Sequence, residues 1–446
     1  MNHLYTKFLE LRSDKDRLTL WMNNLIVVYM FFVPITAAVT SRIFIVILIL
    51  FFLRGNIVHY AREVWKNRVV RAFSYFLMVY FIWLIGSDSL INGWHSISHV
   101  KNVLYLFVFL TVIDGRYINR IIGAFIVAMM VSEILSYSMF FGIIPWEFGI
   151  GDRFFYKAFC VGDPSPFLHH IHYGVVLAFT VVLLAQKVLY AKEDIRLKAI
   201  MFFFTLTASA NIFVTGGRTG YIAFFPLLAF FFFYYHRKWI LPALIGISIF
   251  AGAMYQSSDL LQNKVAQTVI EIEKLAQPTA DFDSSLGQRV GFWIYSLEVI
   301  KDNFWFGVGT GDSMDEVFKR VLPKDDEVKS IAHEHNQYIS VMLQFGLIGL
   351  LAFLNIFYQI YKYRPKDESL RFIQLAITMA IAMGLTMTIF NLRVFLHLWI
   401  LMLAVSMIDR KHRSIQRDIQ ENRVFLFQVI GIGAVFYTAV FIKGFF

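Results

Sequence analysis

Charge is scarce in this chain: charged residues make up only 16% of its 446 positions, whereas 58% are apolar. A water-soluble globule would have too little polar surface to cover so large an apolar fraction, so the bilayer is the expected solvent. A single cysteine, Cys160, excludes an intramolecular disulfide and cannot by itself build a thiolate metal site. No internal repeat or low-complexity tract divides the chain. No dinucleotide fingerprint is expected either. The run Gly307-Val308-Gly309-Thr310-Gly311 lacks a surrounding strand–turn–helix unit and reads as a flexible turn. Residues 1–20 carry Lys7, Arg12, Lys15 and Arg17 among acids, too long and too mixed for a cleaved signal peptide, so the first apolar helix is expected to be retained.

Present instead are apolar runs of about 17 to 25 residues, each long enough to cross roughly 30 Å of hydrocarbon as a helix. They fall near 22–40, 43–58, 72–86, 98–113, 119–142, 171–190, 197–214, 219–235, 239–255, 337–361, 372–390 and 394–408, with a last run at 424–442. The net charge of +10 sits in short loops between these runs. Arg62, Lys66 and Arg68 form one basic loop, Arg116 and Arg120 a second, Lys192, Arg196 and Lys198 a third, and Arg237 and Lys238 a fourth. Lys362, Arg364 and Lys366, then Arg410, Lys411 and Arg413, complete the series. Such loops read as topology signals rather than a nucleic-acid surface, so they and the N-terminus are expected in the cytoplasm.

By alternation, the segment 143–170, the turn Thr215–Gly217 and the stretch 256–336 face outward. Three parts follow: spans one to nine over 1–255, an outward loop over 256–336, and C-terminal spans over 337–446. The loop has the spacing of an amphipathic helix at 260–277 and of a second helix near 286–301. It has the character of a lid.

Candidate chemistry collects on the outward side. Arg218 sits in TGGRTG, where Gly217 and its neighbour expose amide donors beside a guanidinium. It either holds an anion or anchors the span at the interface by snorkelling. Arg289 has the geometry to fork onto two phosphate oxygens, though a solvated surface arginine is the default. His333, His335 and Asn336 lie just before the tenth span. An imidazole there suits general-base work, with helix capping or interfacial packing as the bland alternative. His169, His170 and His172 precede the sixth span and either line the cavity or pack at the interface. The His333/His335 pair lacks HExxH spacing and is a weak zinc signal. Asp281-Phe282-Asp283 resembles the acidic pair of soluble glycosyltransferases, but a solvated turn is the simpler reading.

Together these segments resemble a known family. His335-Asn336, nine residues, Gly346, two residues and Gly349 is similar to the histidine signature of bacterial O-antigen ligases. TGGRTGYIAF and QRVGFWIYSLEVIKDNFWFGVGTGD resemble the family's two arginine segments, in the same order and with the long outward loop between spans nine and ten. The run at 424–442 departs from the family, which usually ends after about a dozen spans.

The resemblance implies an all-α polytopic bundle of about 12 spans, with 424–442 as a candidate thirteenth, of the GT-C-like membrane glycosyltransferase kind. It implies a bacterial inner-membrane location with a periplasmic site, and transfer of a glycan from undecaprenyl pyrophosphate to the lipid A-core oligosaccharide without metal or other cofactor. Arg218, Arg289 and His335 become the catalytic residues. Gly217, Asn336, His333, His170 and His172 become substrate contacts, and membrane lipids become partners. A polysaccharide polymerase uses the same donor with a lipid-linked acceptor, and a protein O-oligosaccharyltransferase is also similar. A transporter or flippase is the rival of another class, but it is expected to carry charges mid-membrane rather than at one interface.

Overall fold

Long apolar segments with few breakers fold as helices, because in hydrocarbon every backbone N–H and C=O must be satisfied internally. The structure is a computed structural model that describes residues 14–150, 153–158, 163–257, 259–277, 282–383, 389–390 and 392–409. The 424–442 run, the basic cluster 410–413, Cys160 and Asp281 lie outside the described residues. Among the described residues there are 17 α-helices and a single two-stranded hairpin. Seven helical stretches are long and apolar enough to cross a membrane: Ala37–Arg54, Arg68–Gly86, Gly115–Phe140, His170–Tyr190, Ile195–Val214, Arg237–Gln256 and Gln337–Lys362. The protein is thus an all-α membrane protein with one small hairpin.

In chain order the first helices are α1 (Lys15–Phe32), α2 (Ala37–Arg54), α3 (Ile57–Trp65), α4 (Arg68–Trp83), α5 (Leu90–Val100), α6 (Tyr105–Val112) and α7 (Ile118–Phe140). The hairpin β1 (Glu147–Ile150) and β2 (Arg153–Lys157) is antiparallel. Then come α8 (His170–Tyr190), α9 (Ile195–Val214), α10 (Arg218–Tyr235), α11 (Ile240–Ser257) and α12 (Asp259–Leu275). The remainder are α13 (Ser285–Asp302), α14 (Ser313–Arg320), a 3-10 segment (Pro323–Ser330), α15 (Gln337–Lys362), α16 (Glu368–Ala382) and α17 (Arg393–Met407). α8 is the axis of the core, packed by α9, α10 and α16, and its residues Tyr173–Leu184 are buried throughout. Gly174 and Gly220 let α8 and α10 touch backbone to backbone, since a Cβ on Gly174 would lie 2.8 Å from the Gly220 Cα.

Three expectations change. The first span was expected at 22–40, but α1 ends at Phe32 and residues 37–40 already belong to α2; Pro34 follows the end of α1, where its missing N–H and ring stop a helix. The fourth span, expected at 98–113, is broken into α5, a 3-10 turn at Lys101–Leu104 and α6. The glycine-rich run at 307–311 is not a flexible turn. It is wedged into a break in α15.

That break is at Gly346, whose φ of 60° and ψ of −158° only glycine adopts readily. The break frees carbonyls and amides at membrane depth, and the 304–311 segment satisfies them. Val308 N donates to Leu343 O at 2.8 Å and Gly309 N to Gln344 O at 3.0 Å, while Leu347 N donates to Phe304 O at 2.8 Å. Repair of this kind is what allows irregular backbone inside a bundle. Gly349 belongs to the same device: with the helix broken, the Phe345 Cβ lies 2.0 Å from where a Gly349 Cβ would be. Both glycines of the signature are therefore explained by backbone geometry.

Candidate active site

Three long helices begin at one place. Gly217, the N-cap of α10, lies against His170 at the start of α8, and a Cβ on Gly217 would stand 2.8 Å from the His170 carbonyl oxygen. The start of α15 reaches the same region, because His172 in the first turn of α8 lies within electrostatic range of His333. Helix N-termini carry partial positive charge and unsatisfied N–H groups, so their convergence favours an anion. Gly217 brings no side chain to cap α10. Asn336 caps α15 instead, accepting from Tyr338 N at 2.9 Å and Ile339 N at 3.2 Å.

Two guanidinium groups stand at this convergence. Arg218 is held by Glu271 of α12, with Nη1 donating to Oε2 at 2.8 Å and Nη2 to Oε1 at 3.4 Å. Arg289, half-buried on α13, has its guanidinium pKa lowered, first by burial and then by the charge of Arg218, with Glu271 opposing. Two like charges in one partly dehydrated site repel unless an anion lies between them. Glu271 supplies part of that compensation as the site stands. It was not foreseen from the sequence, where it is one of several acids on an amphipathic helix. Its selection depends on how α12 folds over α10.

The histidine segment is held from both sides. Glu334 is buried, its Oε1 accepts from Ser313 Oγ at 2.8 Å, and its carbonyl accepts from Trp293 Nε1 at 3.0 Å. Asn336 is fixed as the helix cap. Between them His335 takes a left-handed φ of 51°, uncommon for a residue with a Cβ and a form of strain that accumulates at functional sites. Its ring lies 3.8 Å from that of His333, centroid to centroid, and its backbone N–H donates to His333 Nδ1 at 3.3 Å. Glu334 thus orients the segment through Ser313.

Burial lowers the His333 pKa, with Glu334 opposing and Arg289 adding to the shift. His169, the N-cap of α8, is lowered by burial, then by His170, and by Arg289, against Asp163. Arg289 is therefore in electrostatic range of Arg218, His333 and His169 alike. His170 Nδ1 contacts the Asp163 carboxylate, a partner without a signature in the sequence because it lies in an irregular segment. The His172 ring meets Phe395 of α17 edge to face, 5.6 Å between centroids. Every residue singled out from the sequence, Arg218, Arg289, His335, Gly217, Asn336, His333, His170 and His172, thus belongs to this one region. Among the described residues no group of three His, Cys, Asp or Glu is placed to hold a metal ion.

These lowered imidazole pKa values have a stability consequence. Below the ordinary imidazole range the unfolded chain binds more protons at His169 and His333 than the folded one, so stability rises with pH there. The apparent melting temperature in detergent is expected to be lower at about pH 5 than at about pH 7. The difference should shrink in a His169→Gln/His333→Gln variant, and an unchanged difference would remove these two groups from the account.

Chemically, the region joins two cations and the amide ends of helices to an imidazole pair, a combination suited to holding a phosphate or pyrophosphate while a proton is taken from a nearby hydroxyl. No curated protein matches the chain. Residues 201–354, the segment that carries both arginines, His335 and the two glycines of the α15 break, match the model of a family described as O-antigen ligase.

Proposed function

We propose that this protein is an O-antigen ligase that transfers a glycan from undecaprenyl pyrophosphate to the lipid A-core oligosaccharide, on the periplasmic face of a bacterial inner membrane. The observation that carries the reading is the pairing of Arg218 and Arg289 at converging helix N-termini beside the His333/His335 pair, within the family-matched segment. The acceptor hydroxyl oxygen attacks the anomeric carbon from the face opposite the leaving group, which inverts the configuration. The bond from that carbon to the pyrophosphate oxygen breaks, His335 takes the hydroxyl proton, and undecaprenyl pyrophosphate departs with its charge balanced by Arg218 and Arg289. The arginines do the work a metal does in many transferases.

Orientation follows from the two ends of the helices. The site lies at the N-termini of α8, α10 and α15, while the basic residues Lys192, Arg237 and Lys362 lie at or just beyond their C-termini. At 1.5 Å per residue the 21 residues of α8 separate these ends by roughly 31 Å, about one hydrocarbon thickness. With the basic end in the cytoplasm, the N-terminus is cytoplasmic and the site periplasmic. A bundle of about 12 spans of the GT-C-like kind, with 256–336 as an outward lid, fits the helix series.

The test is to supply purified protein with polyprenyl-pyrophosphate glycan and lipid A-core together. Glycosylated lipid A supports the ligase. Longer glycan on the polyprenyl carrier, with none on lipid A, would replace that reading with a polymerase. A second expectation concerns Glu271, which competes with the donor pyrophosphate for Arg218. Because this pair is partly exposed, its loss has a modest effect: Glu271→Gln is expected to tighten donor binding about two- to fivefold. Titration with a polyprenyl-pyrophosphate analogue reads this directly, and weaker binding would mean that Glu271 supports the donor site instead.

A further inference from the structure

A second cationic group lies beside the site and has no part in the chemistry above. His95 and His99 on α5 have their Nε2 atoms 3.5 Å apart. The 3-10 turn that begins at Lys101 follows α5 directly and packs against α17, which begins at Arg393, and the His99 imidazole pKa is lowered by burial and then by His95, Arg393 and Lys101. His95, Lys101 and Arg393 are exposed, and among the described residues no carboxylate forms an ion pair with Lys101 or Arg393. Two nearby acids are hydrogen-bonded to α5 or to the residues just before it. Asp312 accepts from Asp88 N and Ser89 N, and Asp315 accepts from Asn92.

α5 also presents apolar surface, with Leu90, Ile91 and Trp94 exposed. A short helix with exposed apolar side chains and two imidazoles, bordered by Lys101 and by Arg393 of α17, suits the headgroup region of a membrane, with those two cations toward phosphate.

Position relates this patch to the transfer site. Arg393 opens α17, two residues before the Phe395 that meets His172. Phe390 N donates to Gln337 Oε1 at 3.2 Å, at the start of α15. α5 itself is clamped by the glycine-rich segment: a Cβ on Gly93 would stand 2.9 Å from the Thr310 carbonyl oxygen, and one on Gly311 would stand 2.5 Å from the Asn92 carbonyl carbon. The same segment runs through Asp312 to Ser313, which holds Glu334 next to His335. The patch and the histidine segment are therefore joined by a continuous series of contacts.

Resting on the ligase reading for the identity of the acceptor, we propose that His95, His99, Lys101 and Arg393 bind a phosphate group of the acceptor lipid, apart from the Arg218/Arg289 pair that takes the donor pyrophosphate. The patch would hold the acceptor by its anionic lipid end while its sugar end reaches His335. This divides recognition between two cationic sites and keeps the two phosphorylated substrates from exchanging places.

The experiment uses the full-length protein in detergent and a lipid A-core acceptor with and without its lipid A phosphates. Lys101→Gln/Arg393→Gln is expected to raise the acceptor KM about tenfold, the loss typical of charge-assisted contacts at a partly exposed site, and to leave the donor KM in place. Removing the acceptor phosphates should produce the same rise in the wild type and no further rise in the variant. Lys101→Arg/Arg393→Lys should restore affinity, which separates lost charge from a lost fold. An equal rise in donor KM, or an unchanged acceptor KM, would overturn the proposal.

Direct binding of phosphorylated and dephosphorylated lipid A to wild type and variant, read by native mass spectrometry, decides the question without transfer. If the wild type transfers nothing to lipid A but the variant still loses phosphate-dependent binding, the ligase reading fails and the subsite stands. Competition by phosphatidylglycerol vesicles as strong as that by lipid A would make the patch a general anionic-lipid anchor and overturn its assignment to the acceptor.

Discussion

His335→Ala is expected to slow glycan transfer by about 100- to 10,000-fold, the usual worth of a positioned general base, with little change in donor affinity. The expectation follows from how His335 is presented. Glu334 is tied to Ser313 and Asn336 caps α15, so the intervening residue is held in a left-handed conformation that its own backbone disfavours. The arginines should behave differently. On the proposed mechanism, Arg218→Ala or Arg289→Ala removes a cation that faces the pyrophosphate both when the donor binds and when it leaves. Transfer is then expected to fall about 100- to 1,000-fold, with the donor KM rising as well. Initial rates over a range of donor concentrations separate the two patterns. A His335→Ala variant within a few-fold of wild type would remove it from the chemistry.

Gly346→Ala is expected to prevent the protein from reaching its folded state. The residue's dihedrals are nearly exclusive to glycine, and a Cβ there would lie 2.4 Å from the Trp305 carbonyl carbon, a backbone atom that cannot move away alone. The conformational strain by itself costs about 1–3 kcal/mol, and the clash adds to it. Four backbone hydrogen bonds and one from Gly311 N to Gln344 Oε1 tie the break in α15 to the 304–311 segment, so displacing that segment would also unseat Asp312, Ser313 and, through them, Glu334 and the histidines. Size-exclusion profiles and melting curves in detergent are the readouts. Gly123→Ala on α7, where a Cβ meets nothing within 4 Å, is the matched control expected to behave as wild type. A monodisperse Gly346→Ala protein with unchanged melting would show that the break is not required.

Much of the fold was legible because membrane-crossing segments must be long, apolar and nearly free of charge. The helices α7 to α11 start and end within a few residues of the runs seen in the sequence. What was not legible depends on contacts distant in sequence. The 3-10 stretch at Lys101–Leu104 is marked by no proline or glycine, and the break at Gly346 is invisible inside a run of apolar residues. The same holds for the site. Arg218, Arg289 and His335 are proposed from motif resemblance and the outward side of the chain. Glu271, Asp163 and the Ser313–Glu334 bond were not, since each is an ordinary polar residue until folding brings its partner to it. The glycine-rich run was misread for a related reason: glycines permit a flexible turn and a tightly wedged one equally well, and the choice is made by what they pack against.

In the proposed mechanism Arg218, Arg289 and His335 act as one unit in transfer to lipid A-core. The most direct measurement compares the rate of lipid A glycosylation, in detergent with a metal chelator, for the wild type, the three single alanine variants and the triple variant. Residues that act together lose nearly everything when any one is removed. The expected result is an active wild type, with each single variant close to the triple variant. Single-variant losses that multiply to the triple-variant loss, or a wild type silent until a divalent metal is restored, would contradict it.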